Sequence, residues 1–259
     1  MPEVTNYSPG SFCWADSGTD DPTKARAFYR AVFSWDYEVA DETGYLMCLK
    51  KGKRVAGLYA LSEEMLRMGA LPYWLAYVAV ADADATLTEA GRAGGRQIGP
   101  AFDVPGLGRG GAFFDPTGGL CGVWQAYGHR GAELTGEHGA PSWVELQVRD
   151  PEPAGEFYCS LFDWALERVP MPGGAYYLFK DGETSRAGMF AIPPEVGEVP
   201  PTWAVYFHVD DAEAAVATTL AVGGARVSPV TPVGSWGRFA TLRGADGAVF
   251  SVLQAAPMD

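Results

Sequence analysis

Few side chains in this sequence could do acid–base chemistry, and the best placed lie in one short stretch, Trp143-Val144-Glu145-Leu146-Gln147. Val144, Leu146 and Val148 alternate with Trp143, Glu145, Gln147 and Arg149. That pattern predicts a strand with one apolar face and one aromatic, acidic face. A carboxylate on such a face can hold or move a proton, as can an imidazole. The chain has only three histidines. His129 and His138 fall in a polar, Gly-rich stretch and read as solvated surface. His208 lies in a strand-like run, Trp203–Val209. No Ser/His/Asp order, nucleophile elbow or zinc-finger spacing occurs. The run Gly106-Leu107-Gly108-Arg109-Gly110-Gly111 leads into a strand rather than a helix. It therefore reads as a turn, not a phosphate loop, with Arg109 and Arg238 as ion-pair partners or rim cations.

Composition narrows the function classes. The chain has 259 residues, 47% of them apolar, enough for one or two domains with a real core. A net charge of −13 opposes binding to nucleic acid and to anionic membranes. Cys13, Cys48, Cys121 and Cys159 form no Cys-x-x-Cys pair and read as reduced thiols of a cytosolic protein. Met1-Pro2-Glu3-Val4 carries no basic or apolar leader, and no apolar run is long enough to span a bilayer, so a cytoplasmic location is expected.

An internal repeat sets the architecture. Trp14 and Trp143, Asp21 and Asp150, and Phe28-Tyr29 and Phe157-Tyr158 all stand 129 positions apart. So do Trp74 and Trp203, Tyr77 and Tyr206, Gly94-Gly95 and Gly223-Gly224, and Gln125 and Gln254. The offset slips only between Gly57-Leu58-Tyr59 and Gly188-Met189-Phe190, which marks one loop-length change. The expected organisation is a first domain over 1–127, a linker over 128–139 and a second domain over 140–259. Within each domain a strand–helix–three-strand order runs twice. It includes helices over 22–33, 83–93, 153–162 and 212–222, and a strand over 96–102.

That βαβββ order, the Asp-Pro…Phe-Tyr…Phe-x-Trp opening and the Asp115-Pro116-Thr117-Gly118 turn resemble the vicinal oxygen chelate superfamily. Its members include glyoxalase I, bleomycin-resistance proteins and extradiol dioxygenases. Trp-x-(Asp/Glu) at the start and Gly-x-Trp-Gln at the end of the first unit resemble the actinobacterial two-domain glyoxalase-like branch. The resemblance implies an α+β fold of four βαβββ modules, arranged as two tandem domains with cupped mixed sheets and helices outside. It also implies where a metal would sit. Those positions hold Trp14 and Trp143, Leu75 and Ala204, Gly122 and Ser251, and the neighbourhood of Gly57 and Gly188. None is a normal ligand for a divalent transition metal, since indole offers only a donor N–H. No metal and no cofactor is therefore expected.

By the same resemblance, Trp143, Glu145, Gln147, Tyr206 and His208 face the second cup, and Trp14, Asp16, Tyr77 and Trp124 face the first. Val144, Leu146, Val205, Phe207 and Val209 face the helices. Glu145 and His208 are the candidate acid–base couple, and the aromatic rings would hold a flat ligand. The alternative is structural: Glu145 pairs with Arg149 or a backbone N–H, His208 is a hydrogen-bonded strand histidine, and the rings plug the cup. Two functions stay open, an enzyme acting on a small planar or carbonyl- or phenol-bearing metabolite, and a protein that sequesters an aromatic compound. A metal-dependent lyase or dioxygenase ranks last. Either of the first two could work as a monomer or homodimer.

Overall fold

Each half of the chain opens with the same local chemistry. Asp21 and Asp150 are the N-caps of α1 (Pro22–Phe33) and α4 (Pro151–Phe162), where their carboxylates accept the Lys24 and Glu152 amides. The proline that follows has its φ pre-set for the first helical position, so α4 begins at Pro151 and not at Pro153. Ala25, Phe28, Tyr29, Val32 and Phe33 recur at helical spacing and are all buried. The computed structural model describes residues 3–171 and 174–256. Met1 and Pro2, part of the stretch searched for a leader, lie outside them.

In chain order the first half comprises β1 (Phe12–Thr19), α1, β2 (Asp36–Val39), β3 (Leu46–Lys50), β4 (Lys53–Ala60), α2 (Glu63–Arg67), β5 (Tyr73–Ala79), α3 (Ala83–Arg92), β6 (Arg96–Gln97), β7 (Phe102–Val104), β8 (Gly108–Phe114) and β9 (Leu120–Ala126). The second half comprises β10 (Pro141–Val148), α4, β11 (Ala165–Met171), β12 (Gly174–Asp181), β13 (Thr184–Ala191), β14 (Thr202–His208), α5 (Ala212–Ala221), β15 (Ala225–Arg226), β16 (Thr231–Pro232), β17 (Gly237–Arg243) and β18 (Val249–Ala255). The strand expected over 96–102 is two short strands, because Gly99 sits at φ 65° and Pro100 has no N–H for a ladder.

The two sheets are built alike. The first runs β2-β3-β4-β1-β5-β9-β8-β6 and the second β11-β12-β13-β10-β14-β18-β17-β15. At each centre the first strands of two modules pair antiparallel, β1 with β5 and β10 with β14. Each is flanked by the last strand of its own module, which runs parallel to it. The fold is therefore α+β, with tandem βαβββ modules in two mixed sheets.

Helices α1, α3, α4 and α5 lie outside the cups but bury one face inside the molecule. Their faces meet across the seam between the two halves. Phe33 of α1 packs on Phe207 of β14 at 5.0 Å between ring centroids, and Phe113 of β8 packs on Phe157 of α4 at 5.6 Å. Val144, Leu146, Val205, Phe207 and Val209 belong to this continuous core. Several repeated residues find their reason here. Trp74 and Trp203 donate their indole N–H groups to the buried hydroxyls of Tyr29 and Tyr158, at 3.0 and 2.7 Å. Gln125 and Gln254 accept the Ala83 and Ala212 amides at 3.1 Å, satisfying the first turns of α3 and α5. A Cβ on Gly95 would lie 3.1 Å from Phe157, and one on Gly224 would lie 2.8 Å from Phe28. Each glycine thus admits an aromatic ring from the opposite half.

Candidate functional site

The concave face of each sheet carries one buried carboxylate wired to three aromatic side chains. In the first cup, Trp14 Nε1 donates to Tyr45 Oη at 2.9 Å, and Tyr45 Oη donates to Asp16 Oδ2 at 3.1 Å. Tyr77 Oη reaches the same carboxylate at 3.2 Å. In the second cup, Trp143 Nε1 donates to Tyr176 Oη at 3.0 Å, and the Tyr176 hydroxyl stands near enough to Glu145 to favour its ionised form. Tyr206 Oη donates to Glu145 Oε1 at 2.9 Å, and Gln147 Nε2 donates to the same oxygen at 3.3 Å. Strand alternation puts Trp143, Glu145 and Gln147 on one face, and the β10–β14 register sets Trp143 opposite Tyr206.

Glycines make room for these rings. A Cβ on Gly57 would lie 1.8 Å from Tyr45 Oη, and one on Gly188 would lie 1.8 Å from Tyr176 Oη. A Cβ on Gly122 would lie 2.4 Å from the Tyr77 ring. The matching position in the second cup is Ser251, which stands opposite Tyr206 in the β14–β18 register and hydrogen-bonds Thr241 Oγ1 at 3.1 Å. Tyr45 and Tyr176 were not among the expected site residues. Their signal was present in the chain, for they stand 131 positions apart, as Gly57 and Gly188 do after the loop-length change.

Burial raises both carboxyl groups toward protonation. Asp16, 5% exposed, is pushed up to about 7 by loss of solvent, against the pull of the Tyr45 and Tyr77 hydroxyls. Glu145, 8% exposed, is raised for the same reason, against the pull of Tyr176, Tyr206 and Gln147. Asp16 can thus present a proton near neutral pH.

The residues at the family's metal positions do not fit a divalent transition metal. Tyrosine hydroxyls roof Gly57 and Gly188, and each cup offers a single carboxylate whose oxygens already accept phenols. No cluster of three or more His, Cys, Asp or Glu side chains suited to a metal occurs among the described residues.

The two cups differ in access. Residues 128–134 do not form a solvated linker segment. They fold over the first cup, where the Ala132 amide donates to Cys13 O and the His129 amide donates to Leu107 O. His129 is therefore buried, against expectation, with its ring 4.4 Å from that of Trp14 and 5.9 Å from that of Trp124. Burial, with Arg54 beside it, pushes His129 down to about 4, so it is neutral. Trp124 Nε1 donates to His129 O at 2.7 Å and completes the seal. Trp14, Asp16, Tyr77 and Trp124 are all buried under it. In the second cup Leu253 stands where Trp124 would be, paired with Phe239 in place of Gly110. Trp143, Gln147, Tyr176, His208 and Leu253 there are only half-buried.

The expected Glu145–His208 couple is not assembled. No hydrogen bond or ion pair joins the two among the described residues. His208 ends β14, where burial lowers its basicity and the charged groups acting on it are Asp210, His138 and Glu137. Its backbone, not its ring, is tied down, to Gly139 and Ala140. Arg149 is not the partner of Glu145, because it binds the carbonyls of Pro193 and Val196 instead. His138 also departs from the solvated reading: its Nε2 donates to Val32 O at 3.1 Å. Arg109 is an ion-pair partner, of Asp84 and Asp103. A cavity of about 450 Å³ lies away from the cups, between α4 and the β11–β12 hairpin, lined by Gly155, Cys159, Leu166 and Tyr177.

Comparisons with known proteins agree with the fold. Residues 143–253 match a family model described as a glyoxalase-like domain. The chain is 36% identical over 261 residues to the Mycobacterium tuberculosis protein named "Putative glyoxylase CFP32", covering 99% of both chains. It is 32% identical over 266 residues to anthracycline biosynthesis protein DnrV of Streptomyces peucetius, covering 97% of this chain and 95% of that one. Among solved structures, the Mn(II)-bound glyoxalase of Novosphingobium aromaticivorans superposes with a TM-score of 0.66 at 16% identity, over 96% of this chain and 84% of that one. The 2,3-dioxygenase LapB of Pseudomonas sp. KL28 gives 0.64 at 13%, over 96% and 94%. With paired βαβββ modules end to end and full-length relatives above 30% identity, the chain belongs to the glyoxalase-like family of the vicinal oxygen chelate superfamily.

Proposed function

We propose that the second cup takes a small planar metabolite bearing a carbonyl or phenol, and that Glu145 moves a proton at that group without a metal. The observation that carries this reading is the Glu145 carboxyl, raised toward protonation and set between two phenols in the more open of the two cups. In its acid form the carboxyl donates to a ligand oxygen. In its ionised form it takes a proton from a carbon next to a carbonyl, and Tyr176 and Tyr206 hold it in place through both states. In the first cup the chain itself sets an aromatic ring, His129, edge-on to Trp14 with the planes 85° apart, so a ring is accommodated beside the indole there without face-to-face stacking. Anthracyclines, named in the DnrV description, are planar polycyclic compounds of this chemical class. His208 serves at the rim, orienting the ligand rather than exchanging protons with Glu145.

The test is solvent-deuterium exchange into hydroxylated aryl ketones. The wild type should bind them saturably and exchange the proton next to the carbonyl. Glu145→Gln should bind and not exchange. Undiminished exchange in that variant would sink the reading. A second reading, sequestration without chemistry, rests on one observation: the sealed first cup keeps the same Trp–Tyr–carboxylate–Tyr wiring where no ligand reaches it. Sequestration requires that wild type and Glu145→Gln bind alike and that neither exchanges.

A further inference from the structure

The chain carries its densest run of positive charge at the β3–β4 hairpin, Lys50-Lys51-Gly52-Lys53-Arg54, in a molecule of net charge −13. Three of these cations have defined partners. Lys50 Nζ donates to Phe33 O, Lys51 pairs with Glu137 and Lys53 pairs with Glu3. The Arg54 guanidinium has none among the described residues. Only its backbone is engaged: the N–H donates to Glu133 Oε2 and the carbonyl accepts the Glu133 amide, each at 2.7 Å. Arg54 lines a cavity of about 230 Å³ at the rim of the first cup, together with Lys53, Arg130, Tyr7, His129 and the backbone of 128–133. Arg130 is tied only to the neutral Asn6. His129 forms part of the wall, and its Nε2 is buried without a partner. The second half lacks this feature, since Thr184 and Ser185 stand where Lys53 and Arg54 would be.

We propose that this cavity is a binding site for a small carboxylate, with the Arg54 guanidinium as its anchor. Guanidinium and carboxylate match as two parallel N–H···O bonds, and a cationic rim on an acidic protein concentrates such anions locally. The lining charge favours a monoanion. Lys53, Arg54 and Arg130 face Glu3 and Glu133, which leaves one positive charge in excess. A dianion such as phosphate would exceed it. The space exceeds the roughly 30 Å³ share of a single water, so a two- to four-carbon acid fits. The site is separate from the Glu145 cup and does not depend on the function proposed for it.

The experiment follows the His129 ring resonances of the full chain during titration with acetate, with the neutral isostere acetamide and with inorganic phosphate. Acetate should shift His129 saturably and acetamide should not. Arg54→Gln should weaken acetate binding at least tenfold, and Arg92→Gln, at a surface ion pair on α3, should leave it unchanged. Absence of a saturable acetate shift, equal binding by Arg54→Gln, or a preference for phosphate or acetamide would each overturn the proposal. Arg54→Gln keeps the backbone bond to Glu133, and its fold can be checked by the unshifted indole N–H signals of Trp14 and Trp124.

Discussion

Replacing Gly188 by alanine tests the wiring of the second cup with one methyl group. The new Cβ would stand 1.8 Å from Tyr176 Oη, 2.4 Å from its Cζ and 3.0 Å from Trp143 Nε1. Tyr176 is half-buried, so its ring can swing outward to relieve the clash. In doing so it gives up the hydrogen bond from the Trp143 indole and its influence on the Glu145 carboxyl. The lost neutral bond stands for about 0.5–1.5 kcal/mol and relieving the overpacked methyl for about 1–3 kcal/mol, so a loss of about 2–4 kcal/mol is expected. Glu145 also loses a partner that favours its ionised form, so its carboxyl should titrate at still higher pH. Gly57→Ala should cost more, because its Cβ meets the Asp16 Cβ at 2.8 Å as well, and no side-chain rotation moves that atom. Urea unfolding measures the stability, and the Trp143 indole N–H resonance reports whether Tyr176 has left. A Gly188→Ala protein within about 0.5 kcal/mol of wild type, with that resonance unmoved, would refute the placement of Tyr176 over Gly188.

Other outcomes follow from the same geometry. Asp16 has its folded pKa raised to about 7 from 3.8, so the native state holds its proton longer than the unfolded chain and stability falls as pH rises between those values. Asp16→Asn should flatten that fall, seen as a smaller difference in urea midpoint between pH 5 and pH 8. Tyr158→Phe removes the hydroxyl that accepts from Trp203 Nε1 and donates to Asp115 Oδ2 across the seam. It should cost about 1–3 kcal/mol in denaturant melts, because two buried groups lose a partner. His208→Ala should change ligand affinity by less than tenfold and leave the pH profile of exchange in place. A shifted profile would return His208 to a proton-moving role.

The repeat made the fold readable, because Trp74/Trp203, Gln125/Gln254 and the paired glycines are spaced by what they do at the seam and at helix starts. Those contacts recur because the two sheets pack their helices against each other in the same way. The carboxylates were readable from strand parity once the resemblance said which face lines the cup. Their tyrosine partners were harder, since Tyr45 and Tyr176 come from hairpins whose pairing register, not local pattern, brings each hydroxyl over a glycine of the neighbouring strand. The Glu145–His208 couple was inferred from a shared face, yet parity fixes only the side of the sheet and says nothing of distance along it. His129 misled for a different reason. A polar, Gly-rich segment reads as solvated, but the Trp14 and Trp124 surface beneath it gives a neutral imidazole a ring to pack on, and tertiary burial overrides composition.

The central claim is that the second cup, and not the first, receives a flat ligand against Trp143 beside Glu145. Indole N–H resonances, assigned through Trp143→Phe and Trp14→Phe, test it directly during titration with a hydroxylated aryl ketone. The account requires a saturable shift of the Trp143 signal while the Trp14 signal stays fixed. A ligand that moves Trp14 and leaves Trp143 untouched would contradict it.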